Sequence, residues 1–343
     1  MRNNAHLFFT AALLIVCGTP VTSAVGNAAK PNCGASTAAK HIQLLQPENP
    51  PQECKYHINA YNNNVCQLRI DFKLTLAQPS RPDAQNDLWY VQCVKDYFAV
   101  NGLRLCGTEV DQHIYVPFNR TGGLKSIDLS IVTTRRSGAD GKQPTPRWNM
   151  IIKQLECSTE SAPRGTFDPR VEIEKEHNAH LESVIDPRTS SADDYLIAPP
   201  GCLQYFPQTV GTITSFNYNG GGGVYPANLN YAICFHRQQS TKSLDIKMRY
   251  FRLGAEYSRQ KFQELDNYCR PQLRSEGLSE DYLLIPQATI VESNIRATYF
   301  CGSSIQSDTV ASSNPGPLML IFNSDGNYKA GQEVGFALSY QVV

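Results

Sequence analysis

The chain has 343 residues, too long for a single typical domain, and its 31 Lys and Arg balance 31 Asp and Glu to a net charge of zero. Neutrality gives no attraction to polyanions or to anionic membranes. Without a basic run interleaved with aromatics, nucleic acid is excluded as a partner, and Arg135 with Arg136 reads as an exposed turn pair.

Arg2, the apolar run 7–17 and the small residues Thr22, Ser23 and Ala24 predict a signal peptide over residues 1–24, and so a secreted, extracellular protein. The run is short of the roughly 20 apolar residues that span a bilayer, and no later stretch approaches that length. A mature chain without an intrinsic anchor is expected. Of the 11 cysteines, Cys17 falls in the leader, and the rest form two even groups. Cys33, Cys54, Cys66, Cys93, Cys106 and Cys157 lie in the first half; Cys202, Cys234, Cys269 and Cys301 lie in the second. None has CxxC or zinc-type spacing, so oxidised pairing in a secretory compartment is expected over metal ligation.

Between the cysteines the pattern has a period of two. It is cleanest over 67–76, where Leu68, Ile70, Phe72, Leu74 and Leu76 share one face against Gln67, Arg69, Asp71, Lys73 and Thr75. It returns in Leu244, Ile246 and Met248 against Asp245, Lys247 and Arg249, and along 334–342. Shorter strands are predicted at 56–58, 98–100, 114–118, 127–131, 231–235 and 318–322, with a helix at 256–265. Many short strands separated by turn residues predict an all-β chain of two antiparallel β-sandwiches. Residues 158–200, rich in proline and charge and free of cysteine, read as a protease-sensitive linker between a domain at 25–157 and another at 201–343. His177 and His180 within it lack a third ligand at metal spacing and read as solvated linker residues. His41 and His113, which follow the Cys33-Gly34 and Cys106-Gly107 pairs, read as strand residues facing water or a neighbouring carbonyl.

The second half carries 211–215 (GTITS), 225–231 (YPANLNY) before Cys234, 281–285 (DYLLI), Phe300-Cys301-Gly302, 320–325 (LIFNSD) and 335–340 (GFALSY). In the order and spacing of these pieces it resembles a CUB domain, a jelly-roll-type β-sandwich of extracellular proteins. The first half looks like a more divergent CUB-like module, of the kind paired with a second CUB in insect secreted proteins. Its carriers are 54–58 (CKYHI), 65–72 (VCQLRIDF), 77–79 (AQP), 93–100 (CVKDYFAV) and 148–152 (WNMII). The resemblance implies the pairs Cys202–Cys234, Cys269–Cys301 and Cys93–Cys106. Cys54 with Cys66, joining adjacent strands, and Cys33 with Cys157, tying the ends, complete one of several connectivities that six cysteines allow.

The chain carries no GxSxG elbow, HExxH, phosphate loop or serine-protease nucleophile motif, so no catalytic residue is assigned and the protein is expected not to be an enzyme. The resemblance also implies a calcium ion, held in a subset of CUB domains by a Glu and two Asp. Asp281 and Asp325 match the two Asp, and Glu256 arrives two residues late for the Glu; the alternative is that both Asp are strand-end caps and turn residues. In the first half Asp96 alone matches, with Thr133 and Thr134 where a carboxylate is needed. Tyr218 and Tyr225 flank Gly220 to Gly223, a loop that is either a contact tip for a partner or an ordinary connection. Asn119 opens an Asn-Arg-Thr glycosylation acceptor. Together these predict a secreted binding protein that recognises an extracellular protein or glycan through CUB loops. The alternative is a structural component of a matrix, cuticle or eggshell layer.

Overall fold

The computed structural model describes residues 28–80, 91–118, 125–135, 143–157, 193–254, 265–269, 281–326 and 333–343, and these form almost wholly β-structure. In the first half the strands are β1 (Ser36–Thr37), β2 (His41–Leu45), β3 (Glu53–Asn59), β4 (Val65–Thr75), β5 (Tyr97–Val100), β6 (Leu103–Leu105), β7 (Thr108–Pro117), β8 (Ser126–Val132) and β9 (Arg147–Glu156). They build a five-stranded sheet, β1-β3-β8-β5-β6, and a four-stranded one, β2-β9-β4-β7. The alternation over 67–76 becomes β4, with Leu68, Ile70, Phe72 and Leu74 buried. Phe72 meets Phe98 of the opposite sheet edge-to-face at 5.2 Å, which closes the two layers over one core. Each such buried side chain contributes about 1.5–3 kcal/mol.

In the second half the strands are β10 (Cys202–Phe206), β11 (Val210–Thr214), β12 (Asn230–Phe235), β13 (Leu244–Arg252), β14 (Tyr282–Ile290), β15 (Ile295–Phe300), β16 (Thr309–Ser312), β17 (Met319–Asn323) and β18 (Gly335–Val342). They form one nine-stranded sheet, β10-β12-β17-β14-β16-β13-β18-β11, with β15 on β14. β14 pairs with β17 through 282–284 and with β16 through 288–290, so one strand serves both halves of the sheet. The halves then face each other. Phe235 of β12 lies 4.7 Å from Tyr340 of β18, and Phe322 of β17 lies 5.9 Å from Phe336, although neither pair sits on neighbouring strands.

Two expectations need correction, and a third lies outside the described residues. The pairing is not uniformly antiparallel, because β1 runs parallel to β3 and β10 parallel to β12. The helix expected at 256–265 falls on residues outside the described set except for Leu265, which opens a five-residue helix α1 (Leu265–Cys269). The bridges Cys202–Cys234, Cys269–Cys301 and Cys93–Cys106 are present. The other two cysteine pairs are exchanged, for Cys33 joins Cys54 and Cys66 joins Cys157.

Strand register explains the exchange. β1 lies parallel on β3 with Ser36 opposite His57, so Cys33 and Cys54, each three residues earlier, face each other. Cys66 sits at the start of β4 beside the end of β9, where Val65 pairs with Glu156. Cys54 and Cys66 belong to different sheets, so the bridge expected between them has no adjacent strands to join. Among the described residues no helix is long and apolar enough to cross a membrane.

Candidate binding site between the sandwiches

β7 is the edge strand of the four-stranded sheet, and its second face carries the junction. Gln112, His113, Ile114, Tyr115 and Val116 are buried in succession, which a strand with one wet face does not allow. Register against β4 shifts between Asp71 and Lys73, and Asp111 in this bulge takes a φ of 61°. Bulges re-aim side chains. Here Gln112 Nε2 donates to Thr214 O at 2.9 Å and to Thr214 Oγ1 at 2.7 Å. In return Gln204 Nε2 donates to Gln112 Oε1 at 2.8 Å and to His113 O at 3.2 Å.

His113 completes this crossing of β7 over β10. Its Nε2 lies 2.9 Å from Tyr205 O, which makes that nitrogen the protonated donor. The ring packs edge-on against Phe206 at 4.8 Å. Burial, with Arg69 adding to it, lowers its pKa to about 4, so it is neutral at neutral pH. Arg69 is spent locally, gripping Asp71 through Nε and Nη2 and donating from Nη1 to Tyr115 Oη at 2.9 Å. The carbonyl expected for His113 is therefore one of the second sandwich.

The glycine loop makes the second contact. Asn217 Oδ1 accepts Thr108 N–H at 2.9 Å, and its Nδ2 donates to Gln78 Oε1 at 2.8 Å and to Val224 O at 2.7 Å. A Cβ on Gly107 would lie 2.1 Å from Asn217 Oδ1, and one on Gly223 would lie 1.6 Å from Asn217 O. Only glycine permits that approach. Tyr225, expected to face a partner, is 1% exposed, with its hydroxyl donating to Asp281 Oδ2 at 2.6 Å. Its ring meets Phe322 edge-on at 5.2 Å, so it belongs to the core and cannot be a contact residue. Tyr218 is half-buried against Tyr250.

A third contact comes from residues just ahead of β10. Asp193 is buried, with Lys153 at 2.8 Å and Lys40 at 3.0 Å. Burial pushes its carboxyl up, but hydrogen bonds from the two lysines outweigh this and hold it below the usual range. Ala198 and the Gln67 carboxamide exchange two hydrogen bonds, at 2.7 and 3.0 Å. The end of the segment that sequence sets apart as a linker thus lies along the first sandwich. Glu109, also on β7, is wholly buried and neither of its carboxyl oxygens finds a partner of good geometry. Burial pushes this carboxyl well above the ordinary range, with the Asn217 backbone offsetting part of the rise.

Beside the crossing lies a cleft of about 620 Å³, lined by Gln92, Leu103 and Arg104 from the first sandwich and by Leu203, Asn228 and Tyr231 from the second, among others. Cys93 and Cys202 also line it, so a disulfide stiffens each wall. Ala227 N–H donates across to Val91 O at 2.8 Å. Among the described residues of the lining Arg104 is the one charged group; it is exposed, with its guanidinium 4.6 Å from the centre of the Tyr97 ring.

The positions expected to hold calcium are organised differently. Asp281 is buried and accepts Tyr225 Oη and Asp325 N–H, each at 2.6 Å. Glu256 lies outside the described residues, and among those described no three His, Cys, Asp or Glu could hold a metal ion together. Asp96 is buried and accepts Ala77 N–H and Thr134 N–H, capping strand ends in the first sandwich. Asn119, His177, His180 and Arg136 lie outside the described residues. Sequence reasoning missed Gln112, Gln204, Asn217 and Asp193. For the first, the signal was the near-absence of alternation in QHIYV; a lone carboxamide elsewhere gives none.

Residues 199–343 match the family model of the animal CUB domain. No curated protein matches the chain. Among solved structures it is similar to the CUB1-EGF-CUB2 domain of human MASP-1/3, at 12% identity and a TM-score of 0.26, over 89% of this chain and 100% of that one. The CUB1-EGF-CUB2 domains of rat MASP-1 match at 12% identity and 0.25, over 90% of this chain and 99% of that one. The extracellular region of zebrafish Gpr126/Adgrg6 matches at 10% and 0.26, over 90% of this chain and 36% of that one.

Proposed function

We propose that the chain is a secreted, non-enzymatic binding protein that recognises an extracellular protein or glycan. The observation that carries this reading is the CUB domain at 199–343, since such domains act as protein-interaction modules. The junction supports it. Carboxamides, a neutral histidine and backbone groups hold the two sandwiches in one arrangement, so loops from both present a fixed composite surface. Preorganisation of that kind spares a binder the ordering cost on association. The five disulfides suit an oxidising, extracellular setting. In this reading both halves are CUB-like, as in the insect secreted proteins, and Asn119 carries a glycan.

The test is capture from extracellular fluid on the immobilised, disulfide-intact chain. A partner should be retained saturably and lost when the chain is first reduced. Retention that neither saturates nor responds to reduction would remove the reading.

A further inference from the structure

We propose that the cleft between the sandwiches binds the C-terminal end of an extended peptide, with the terminal carboxylate held by Arg104. This rests on the binding reading above and names its site and ligand class.

The cleft is a built feature. About 620 Å³ falls within the ordinary range for ligand sites, and its walls belong to two disulfide-stapled sandwiches locked by the Gln112, His113 and Asn217 contacts. It therefore needs no rearrangement to admit a ligand.

Charge selects the ligand's sign. Among the described residues of the lining Arg104 is the one charged group, so they offer a partner to a single anionic group and none to a cationic one. The Tyr97 ring beneath the guanidinium holds it in place without neutralising it. A planar guanidinium so placed suits bidentate pairing with a carboxylate.

The remaining lining describes the ligand's body. Leu103 and Leu203 offer aliphatic surface, while the Gln92 and Asn228 carboxamides can each donate and accept, as the amide groups of an extended peptide require. An acidic sugar fits less well. Sugar rings stack on open aromatic faces, and the aromatic side chains among the described lining residues, Tyr115 and Tyr231, are 3% and 5% exposed.

The probe is a pool of acetylated hexapeptides whose last three positions are randomised over Leu, Val, Phe and Ala, made as free acids and as C-terminal amides. Binding to the full chain is read by fluorescence polarisation. Free acids should bind at least about tenfold more tightly than amides, and Arg104→Gln should reduce the acids to the level of the amides. Arg104 is exposed, so an unchanged thermal midpoint will show that the variant folds. Equal binding of acids and amides, no binding of either, or insensitivity to Arg104→Gln overturns the proposal. So does a sialylated oligosaccharide that binds in an Arg104-dependent way where the peptides do not. If Arg104→Gln still captures the extracellular partner and the peptide pool does not compete, the binding function stands and the cleft assignment fails.

Discussion

Two strand faces look alike in the sequence and end differently. Asp245, Lys247 and Arg249 on β13 alternate with buried Ile246 and Met248, and Lys247 remains exposed, loosely paired with Glu292 at 3.7 Å. Gln67, Arg69 and Asp71 on β4 alternate with buried residues in the same way, yet the adjoining strand β7 places His113 and Tyr115 on that face, where the second sandwich covers them. Alternation states which face meets the core. It does not state whether the other face meets water. Chemistry separates them: the covered face uses carboxamides, a neutral histidine and a locally paired arginine, all able to be buried at small cost, whereas the β13 face keeps charges in solvent.

The largest expected effect lies in the loop that joins the junction to the core. Tyr225→Ala should destabilise the chain by about 4 kcal/mol through lost burial and the lost hydrogen bond to Asp281, while Tyr218→Ala should cost under about 1 kcal/mol. Urea midpoints of the two variants measure this. Equal effects would mean that Tyr225 does not serve the core.

Next comes pH. His113 has a folded pKa of about 4 against about 6.5 unfolded, so the unfolded chain binds more protons between these values. Stability supplied by the neutral ring is full above about pH 6.5 and is lost as pH falls toward 4, by about 3 kcal/mol in all. Glu109 acts with the opposite sign. Its raised folded pKa means the folded chain binds more protons above about pH 4.5, so its contribution falls as pH rises. Denaturant titrations across pH should show His113→Gln flattening the acid limb and Glu109→Gln flattening the fall at higher pH. Unchanged curves for both would mean that the β7 face is wet, like that of β13.

A direct comparison of the two faces follows. Gln112→Ala removes hydrogen bonds to Gln204 and Thr214 and should cost about 2 kcal/mol, while Lys247→Ala should stay within about 0.5 kcal/mol. A larger loss at Lys247 than at Gln112 would reverse the assignment of covered and open faces. The smallest effect concerns calcium. Since both Asp281 oxygens already accept hydrogen bonds, from Tyr225 Oη and from Asp325 N–H, adding Ca²⁺ should leave the thermal midpoint unchanged. A rise that Asp325→Ala erases would show that Glu256 completes the site after all.

Much of this architecture was legible in the chain itself. The strands β4, β13 and β18 follow from a period-two pattern whose apolar phase has one place to go, the core. The cysteine groups likewise marked two stapled halves. Pairing within the first half was not legible, because Cys33, Cys54, Cys66 and Cys157 are matched by strand registers, and the parallel β1–β3 contact has no local turn to announce it. Gly220 to Gly223 announced a loop with unusual backbone, and Gly220 and Gly221 do take positive φ. That the loop fastens one sandwich to the other depends on Gly107 and Asn217 meeting across 110 positions of sequence. Local pattern records how a residue relates to its own strand. Tertiary structure alone decided which outer faces would meet, because that choice rests on shape and hydrogen-bond matching between side chains with no sequence proximity.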